Sequence, residues 1–414
     1  VSPSKESDVS NLIDIRYRIG CSILGAVLCS AGSVHAQDVP ACEELPGSII
    51  YGVGGSAQRN YIGRVASQLA SASEPITVVY SAPGACQAMV ALDPKNAGTA
   101  DSKITGTANY WVAGDNAAKT CNLPTEGVEV TWGSMQQTSK LCEVDKLFDG
   151  IGDFEGPVGT TNLVVNLDST ENAISAEAAH FVFGFGDDSG VEPWTVGDLV
   201  ARRNEQSAVQ LYLGLAAHVP ATRFAGKDSK DQAGVITAVT GAPANQRSAA
   251  IGVISGDAAD AARDKVRTLA WQQTGQNAAY WPDSSSTAFD KINVRNGQYY
   301  LWGTTHFFAP VGSDKKVKDA DTRTFIDYII GAKDPDGLAS SIDIAIDAGY
   351  VPSCAMHVTR DGDLAPLASF QPDEPCDCYF ESKATGSSDC DTCESDDDCT
   401  KSGSKCRNGF CEVK

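Results

Sequence analysis

A β-branched run, three glycines and a serine sit together near the start of the chain, and few folds accommodate them. Within residues 48–72, SIIYGVGGSAQRNYIGRVASQLASA, the side chains Ile49, Ile50, Tyr51 and Val53 read as a short buried strand. Gly52, Gly54 and Gly55 let the backbone turn sharply, Ser56 is placed as an N-cap, and Tyr61, Ile62, Val65 and Leu69 share one face of the next helix. Such a unit aims free N–H groups and the positive end of a helix dipole at one point, which can hold an oxyanion without a cation. Taken alone, the same stretch is also an ordinary βα turn with a capped helix.

The first 36 residues read as a secretory leader: Lys5, Arg16 and Arg18 precede an apolar run from Ile19 to about Ala31, and Val34-His35-Ala36 resembles a cleavage site. That run is short for a membrane span, and no span is expected after its removal. Of 14 cysteines, two (Cys21 and Cys29) fall in the leader, leaving an even 12 for an oxidising compartment. Disulfides are the default there. The net charge of −21 supplies no basic field and excludes nucleic acid as an expected partner. An anionic ligand is not excluded, because helix ends and single arginines act at contact distance while surface charge is screened over about 8–10 Å.

Strand-like and helix-like stretches alternate through the body. ITVVY (76–80) leads through Ser81-Ala82-Pro83-Gly84-Ala85 into a helix at Cys86–Leu92, and Ile104–Asn109 reads as a third strand. TNLVVNL (161–167), AAIGVIS (249–255) and the extended, aromatic-rich 294–310 add strands, while 176–183, 207–217, 230–240, 257–268, 319–332 and 338–348 read as helices. This alternation predicts an α/β protein with a parallel sheet and a ligand beyond the carboxyl ends of its strands. From about Phe370 the composition shifts, and seven of the cysteines lie in 376–411.

Arg203-Asn204-Glu205-Gln206-Ser207 is a second station of the same kind, a planar permanent cation just before a Ser-capped helix. A salt-bridged arginine with a routine cap would have the same sequence. With these residues in view, the body over roughly 46–312 resembles the type 2 periplasmic substrate-binding proteins, most closely the phosphate-binding subunit of ABC transporters. The resemblance rests on Gly52-Val53-Gly54-Gly55-Ser56, on Tyr80 with the Gly84 turn, and on Gly106-Thr107-Ala108-Asn109. It continues with Arg203 and Ser207, Ile251-Gly252-Val253 and Asn296-Gly297-Gln298-Tyr299-Tyr300.

The resemblance implies two α/β lobes that close over an oxyanion by hinge motion, with no cofactor, no catalysis, and an ABC permease as partner. The first lobe is expected over 44–135 with a return and closing helices over 299–369, the second over 136–298, and a small disulfide-rich tail over 370–414. Ligand contacts carried over are Gly55, Ser56, Ala57, Gly84, Ala85, Asn109, Arg203, Ser207, Ala208 and Val209. Several depart from the family pattern: Ala85 stands for a serine, Ala208-Val209 for Gly-Thr, and Asn109 for the aspartate that accepts the proton of a protonated phosphate. Hydrogen bonds to a charged ligand are worth about 1.5–3 kcal/mol each, so two lost hydroxyls imply about two to four orders of magnitude in affinity. The expected function is binding of phosphate or a similar oxyanion in the periplasm or outside the cell. The alternative is a binding-protein fold turned surface or extracellular interaction protein, with a secreted phosphohydrolase as a lesser possibility.

An enzyme is not expected. Gly54-Gly55-Ser56-Ala57-Gln58 lacks the last glycine of a nucleophile elbow, and His180, His218, His306 and His357 show no metal-ligand spacing. Trp194, Trp281 and Trp302 fit a sugar cleft or, more commonly, a packed core. In the tail, disulfides compete with zinc at Cys390 and Cys393, and Asp396-Asp397-Asp398 reads as solvated surface in preference to a calcium loop. Expected pairs are Cys393–Cys406, Cys399–Cys411 and Cys121–Cys142, though spacing alone cannot fix connectivity.

Overall fold

The computed structural model describes residues 39–414; the leader expected over 1–36 lies outside the described residues. β1 (Ser48–Gly54) and β2 (Ile76–Ser81) pair in parallel around α1 (Arg59–Leu69), as the alternation predicts. Beyond β2 the sheet turns antiparallel. There β3 (Thr107–Val112) and the edge strand β4 (Asp115–Asn122) form a hairpin, and β5 (Trp132–Met135) lies on the other side of β1. The predicted third strand breaks at Gly106, whose φ of +78° suits glycine.

β6 (Ile151–Asn166) is the organising element. It belongs to two sub-sheets. β7 (Val200–Arg202), β8 (Lys227–Asp228), β9 (Ile251–Ser255), β10 (Val266–Thr268) and β11 (Trp302–Pro310) complete the sheet. Its order is β8-β7-β9-β6-β11-β5-β1-β2-β3-β4, with β10 also on β6. Residues Ile151–Thr160 of β6 pair with β11, whereas Thr161–Val165 pair with β9. The change of partner therefore falls inside β6, not near residue 136 where the sequence reading placed the passage between lobes. An alternating-pattern reading misses this because β6 is buried on both faces through most of its length, and only its last residues had the look of a strand.

Helices cover both faces of each sub-sheet. On the first, α1 packs on one face and α2 (Gln87–Leu92) on the other. On the second, α3 (Ala208–Ala216) faces α4 (Gln232–Thr240) and α5 (Gly256–Ala261) across the strands. The helix expected over 257–268 ends early, because the β-branched residues of β10 pair antiparallel with Val164–Asn166. Two helices, α6 (Ala320–Ile329) and α7 (Ser341–Asp347), close the first half near where they were predicted. This is an α/β fold of two lobes joined through neighbouring strands, with a disulfide-rich tail.

Six disulfides take all twelve cysteines of 39–414. Cys393–Cys406 and Cys399–Cys411 are as expected. Cys121–Cys142 is not formed: Cys121 pairs with Cys42 and Cys142 with Cys86. The reason is the path of the leading segment, which runs along the β4 edge with the Asn122 N–H donating to the Pro40 carbonyl. Cys354–Cys376 anchors the tail, and Cys378–Cys390 follows it. Among the described residues, the grouping close enough for a metal is Cys393, Cys399 and Cys411, whose sulfurs are already bonded in pairs. The acidic run is used as local capping: Asp398 accepts from the Glu394 and Ser395 N–H groups, and Asp396 from Cys406. No described helix is long and apolar enough to cross a membrane.

Candidate functional site

The carboxyl ends of β1, β2 and β7 point at one another across the junction of the two halves. A cavity of about 320 Å³ opens there, lined by Gly55, Ser56, Ala57, Pro83, Gly84, Arg203, Asn204, Ser207 and Ala208. Seven of the ten sequence-predicted positions thus share one hollow, four from the first half and three from the second.

Neither serine caps its helix. Ser56 begins a 3-10 turn (Ser56–Gln58) and α1 starts only at Arg59, while Ser207 sits at the N-cap of α3 without a side-chain cap bond. The Ser56 hydroxyl instead accepts a hydrogen bond from Arg203 Nη2 at 3.0 Å, across the junction. Arg203 is 3 % exposed, and its Nε and Nη2 also donate to the Lys230 carbonyl at 3.4 and 3.3 Å. Nη1 has no partner. Burial pushes the guanidinium down to about 10, against the pull of Asp231 and Asp228, so it remains a cation at neutral pH.

Three predicted positions do not reach the cavity lining. Ala85 is fully buried, and its N–H donates to the Gln206 carbonyl of the other half at 3.0 Å. Val209 is turned into the core of the second half. Asn109 lies on β3, paired with Tyr80 and Thr120 in the sheet. Ala85, which stands where a serine was expected, joins Ala208, which stands where a glycine was, in one apolar cluster across the junction. At Gly84 the halves approach so closely that an added Cβ would lie 2.9 Å from Gln206 Cβ. The cleft is closed.

Seven lining residues lie outside the predicted set: Arg59, Ala82, Pro83, Asn204, Asp228, Lys230 and Asp231. Arg59 opens α1, Asp228 ends β8, and Lys230 and Asp231 come from the loop after it. The only signal for that loop was an aspartate before a helix, and Asp231 does cap α4 through the Gly234 N–H at 2.9 Å. The histidines and tryptophans are absent from this lining. His306 pairs with Asp153 at 2.8 Å, His180 meets the Ala217 carbonyl, and Trp194 and Trp302 pack in the second core.

Behind Ser56 runs a buried polar chain. Gln232 Nε2 donates to the Ser56 carbonyl at 3.4 Å, and Gln232 Oε1 accepts from both the N–H and the hydroxyl of Ser255, at 2.7 and 2.6 Å. Ser255 Oγ also touches Asp257 Oδ1. Burial pushes Asp257 up to about 7, with neighbouring Asp260 adding to the rise and the Ser255 hydroxyl, which donates to it, opposing it. Since the unfolded carboxyl ionises near 4, the folded state holds an extra proton between about pH 4 and pH 7, and stability falls with rising pH over that window. The loss is on the order of 4 kcal/mol at about 1.36 kcal/mol per pH unit, and it levels off above pH 7. Asp257→Asn, which donates without ionising, is expected to unfold at higher urea than the parent at pH 8 but not at pH 4. Equal pH dependence of the two midpoints would refute the protonated carboxyl.

No protein-family profile matches the chain, and no curated protein matches it. Solved structures do. A phosphate ABC transporter substrate-binding protein from Clostridium perfringens with bound phosphate is 13 % identical, covering 74 % of this chain and 99 % of its own, with a TM-score of 0.49. An ABC-type phosphate transport receptor from Vibrio cholerae is 12 % identical over 74 % of this chain and 100 % of its own, with a TM-score of 0.46. The regulator OxyR of Corynebacterium glutamicum also matches, at 8 % identity over 68 % of this chain and 62 % of its own, with a TM-score of 0.36. The chain is similar to these proteins in fold. At such identities the likeness says nothing of ligand, and the two-lobed arrangement stands on the strand pairing described above.

Proposed function

We propose that the protein is an exported, non-enzymatic solute-binding protein that holds phosphate or a similar oxyanion between its lobes for delivery to an ABC-type permease. The observation that carries this reading is Arg203, a buried cation with an unpartnered Nη1, set against Ser56 in a cavity between the halves. A buried charge without a full set of partners is costly, and an anion in the cavity would complete it. The first N–H groups of α3, beside Ser207, have no intrahelical partner and are available to an anion. Closure follows if the ligand binds the closed arrangement better than the open one. Export is supported by the six disulfides, which persist in oxidising compartments. No His, Cys or Glu lines the cavity, which leaves a hydrolytic reading without a general base of the usual kinds apart from aspartate.

Isothermal titration with phosphate, sulfate and arsenate tests the reading, with an Arg203 variant as control. Heat from at least one oxyanion, abolished by the variant, supports it; no heat from any of the three ends it. The alternative, an extracellular interaction protein, is favoured by one observation: Phe181 and Phe185 stand 47 % and 52 % exposed with their rings 5.7 Å apart. It predicts silence in the same titration.

A further inference from the structure

The cavity carries charges of both signs. Arg203, Arg59 and Lys230 line it together with Asp228 and Asp231. A bare oxyanion would gain from the first group and be repelled by the second. Asp228 ends β8 and Asp231 follows Lys230, so each carboxylate lies within two residues of the Lys230 carbonyl that Arg203 Nε and Nη2 hold. Their existing bonds do not use them up. Asp231 engages the Gly234 N–H through Oδ1 alone. Asp228 takes the Lys230 N–H through Oδ1 at 2.7 Å, and its Oδ2 stands 3.8 Å from Arg202.

Size points the same way. The cavity measures about 320 Å³. A tetrahedral oxyanion with four oxygens needs about 120 Å³, reckoned at about 30 Å³ for each water-sized unit. The cavity therefore has room for more than the oxyanion, and Ala82 and Pro83 add a little apolar wall to its lining.

Building on the oxyanion reading above, we propose that the ligand carries its own cation: a tetrahedral phosphorus oxyanion with a protonated amine a few bonds away. Its anionic end meets Arg203 Nη1 and Ser56, and its ammonium meets Asp231 and Asp228. An ammonium donor turns the repulsion of the two carboxylates into charge-assisted hydrogen bonds. Aminoalkylphosphonates and phosphate monoesters of amino alcohols share this chemistry.

The test is titration calorimetry on the whole mature chain at pH 7.5 with inorganic phosphate, 2-aminoethylphosphonate, ethylphosphonate, O-phosphoethanolamine and ethyl phosphate. Each amine-bearing probe should bind at least tenfold tighter than its amine-free counterpart. The stronger of the two pairs tells a phosphonate from an ester. Asp231→Asn, which keeps an oxygen for the Gly234 cap, should bring the ratio toward one, and Asp228→Asn reads the same ratio should the first variant fold poorly. A ratio near one in the parent protein, or a tenfold ratio that survives both substitutions, overturns the proposal. Phosphate binding without an amine advantage overturns this proposal while leaving the oxyanion reading intact. Silence with all five probes overturns this proposal, and silence with sulfate and arsenate as well ends the oxyanion reading.

Discussion

Arg203→Met should lower oxyanion affinity by about two to four orders of magnitude while leaving the protein folded. The size follows from two N–H donors to a charged ligand, each worth about 1.5–3 kcal/mol. Folding survives because the side chain keeps its volume and because burying a cation is itself costly, so exchanging it for an apolar group of similar shape is often neutral or stabilising. Arg203→Lys should rescue little. A single ammonium cannot reach Ser56, the Lys230 carbonyl and a ligand together, whereas the guanidinium fork does the first two with Nε and Nη2 and has Nη1 to spare. pH gives an independent check. Burial pushes the guanidinium down to about 10, so the cation is lost as pH rises through that value. Affinity measured by competition should hold to about pH 9 and then fall. A Met variant that binds as tightly as the parent, with an unchanged melting midpoint, would remove Arg203 from the site.

Reduction of the disulfides should melt the tail and leave the lobes standing. α8 (Asp377–Thr385) and the hairpin of β12 (Ser404–Arg407) and β13 (Phe410–Val413) make up most of the segment's regular structure. Within the tail, Cys378–Cys390, Cys393–Cys406 and Cys399–Cys411 close loops with sequence separations of 12 to 13. Loops of that length contribute roughly 3 kcal/mol each by restricting the unfolded chain. A segment this small has too little core to replace that sum. Its anchor is the exception, since Phe380 sits in the second core, and Asp377 is held by Arg295 at 2.5 Å and by His357 at 2.7 Å. With dithiothreitol in the buffer, amides over 386–414 should exchange hydrogen within seconds, while those of β1, β2, β6 and β9 stay protected. Uniform protection after complete reduction would mean that packing, not cross-linking, holds the tail.

Much of the α/β architecture and the heart of the cavity are legible in the sequence, for a local reason. Ser56 and Arg203 each follow a short apolar strand and precede a helix with a clear apolar face, and such units place their turn residues at the same edge of a sheet. What local patterns cannot express is depth and register. Asn109 falls one strand too far from the hollow. Ala85 looks like a lost hydroxyl until the two halves are brought together, where it and Ala208 form a dry contact between them. Asp228 and Asp231 gave no sign of facing Ser56, because their loop reaches the cavity only after β8 has joined β7 at the sheet edge. The body pair Cys121–Cys142 failed for the same cause, whereas the two tail pairs hold: Cys42 meets Cys121 across 79 residues, a distance no spacing rule spans.

β11 lies between β5 and β6 in the sheet but follows β6 by well over a hundred residues in sequence. A chain emerging from its N-terminus therefore leaves a slot in the first half, with two unsatisfied strand edges, until residue 310 has appeared. The first sub-sheet is therefore completed only late in synthesis, whereas every strand of the second has appeared by residue 268.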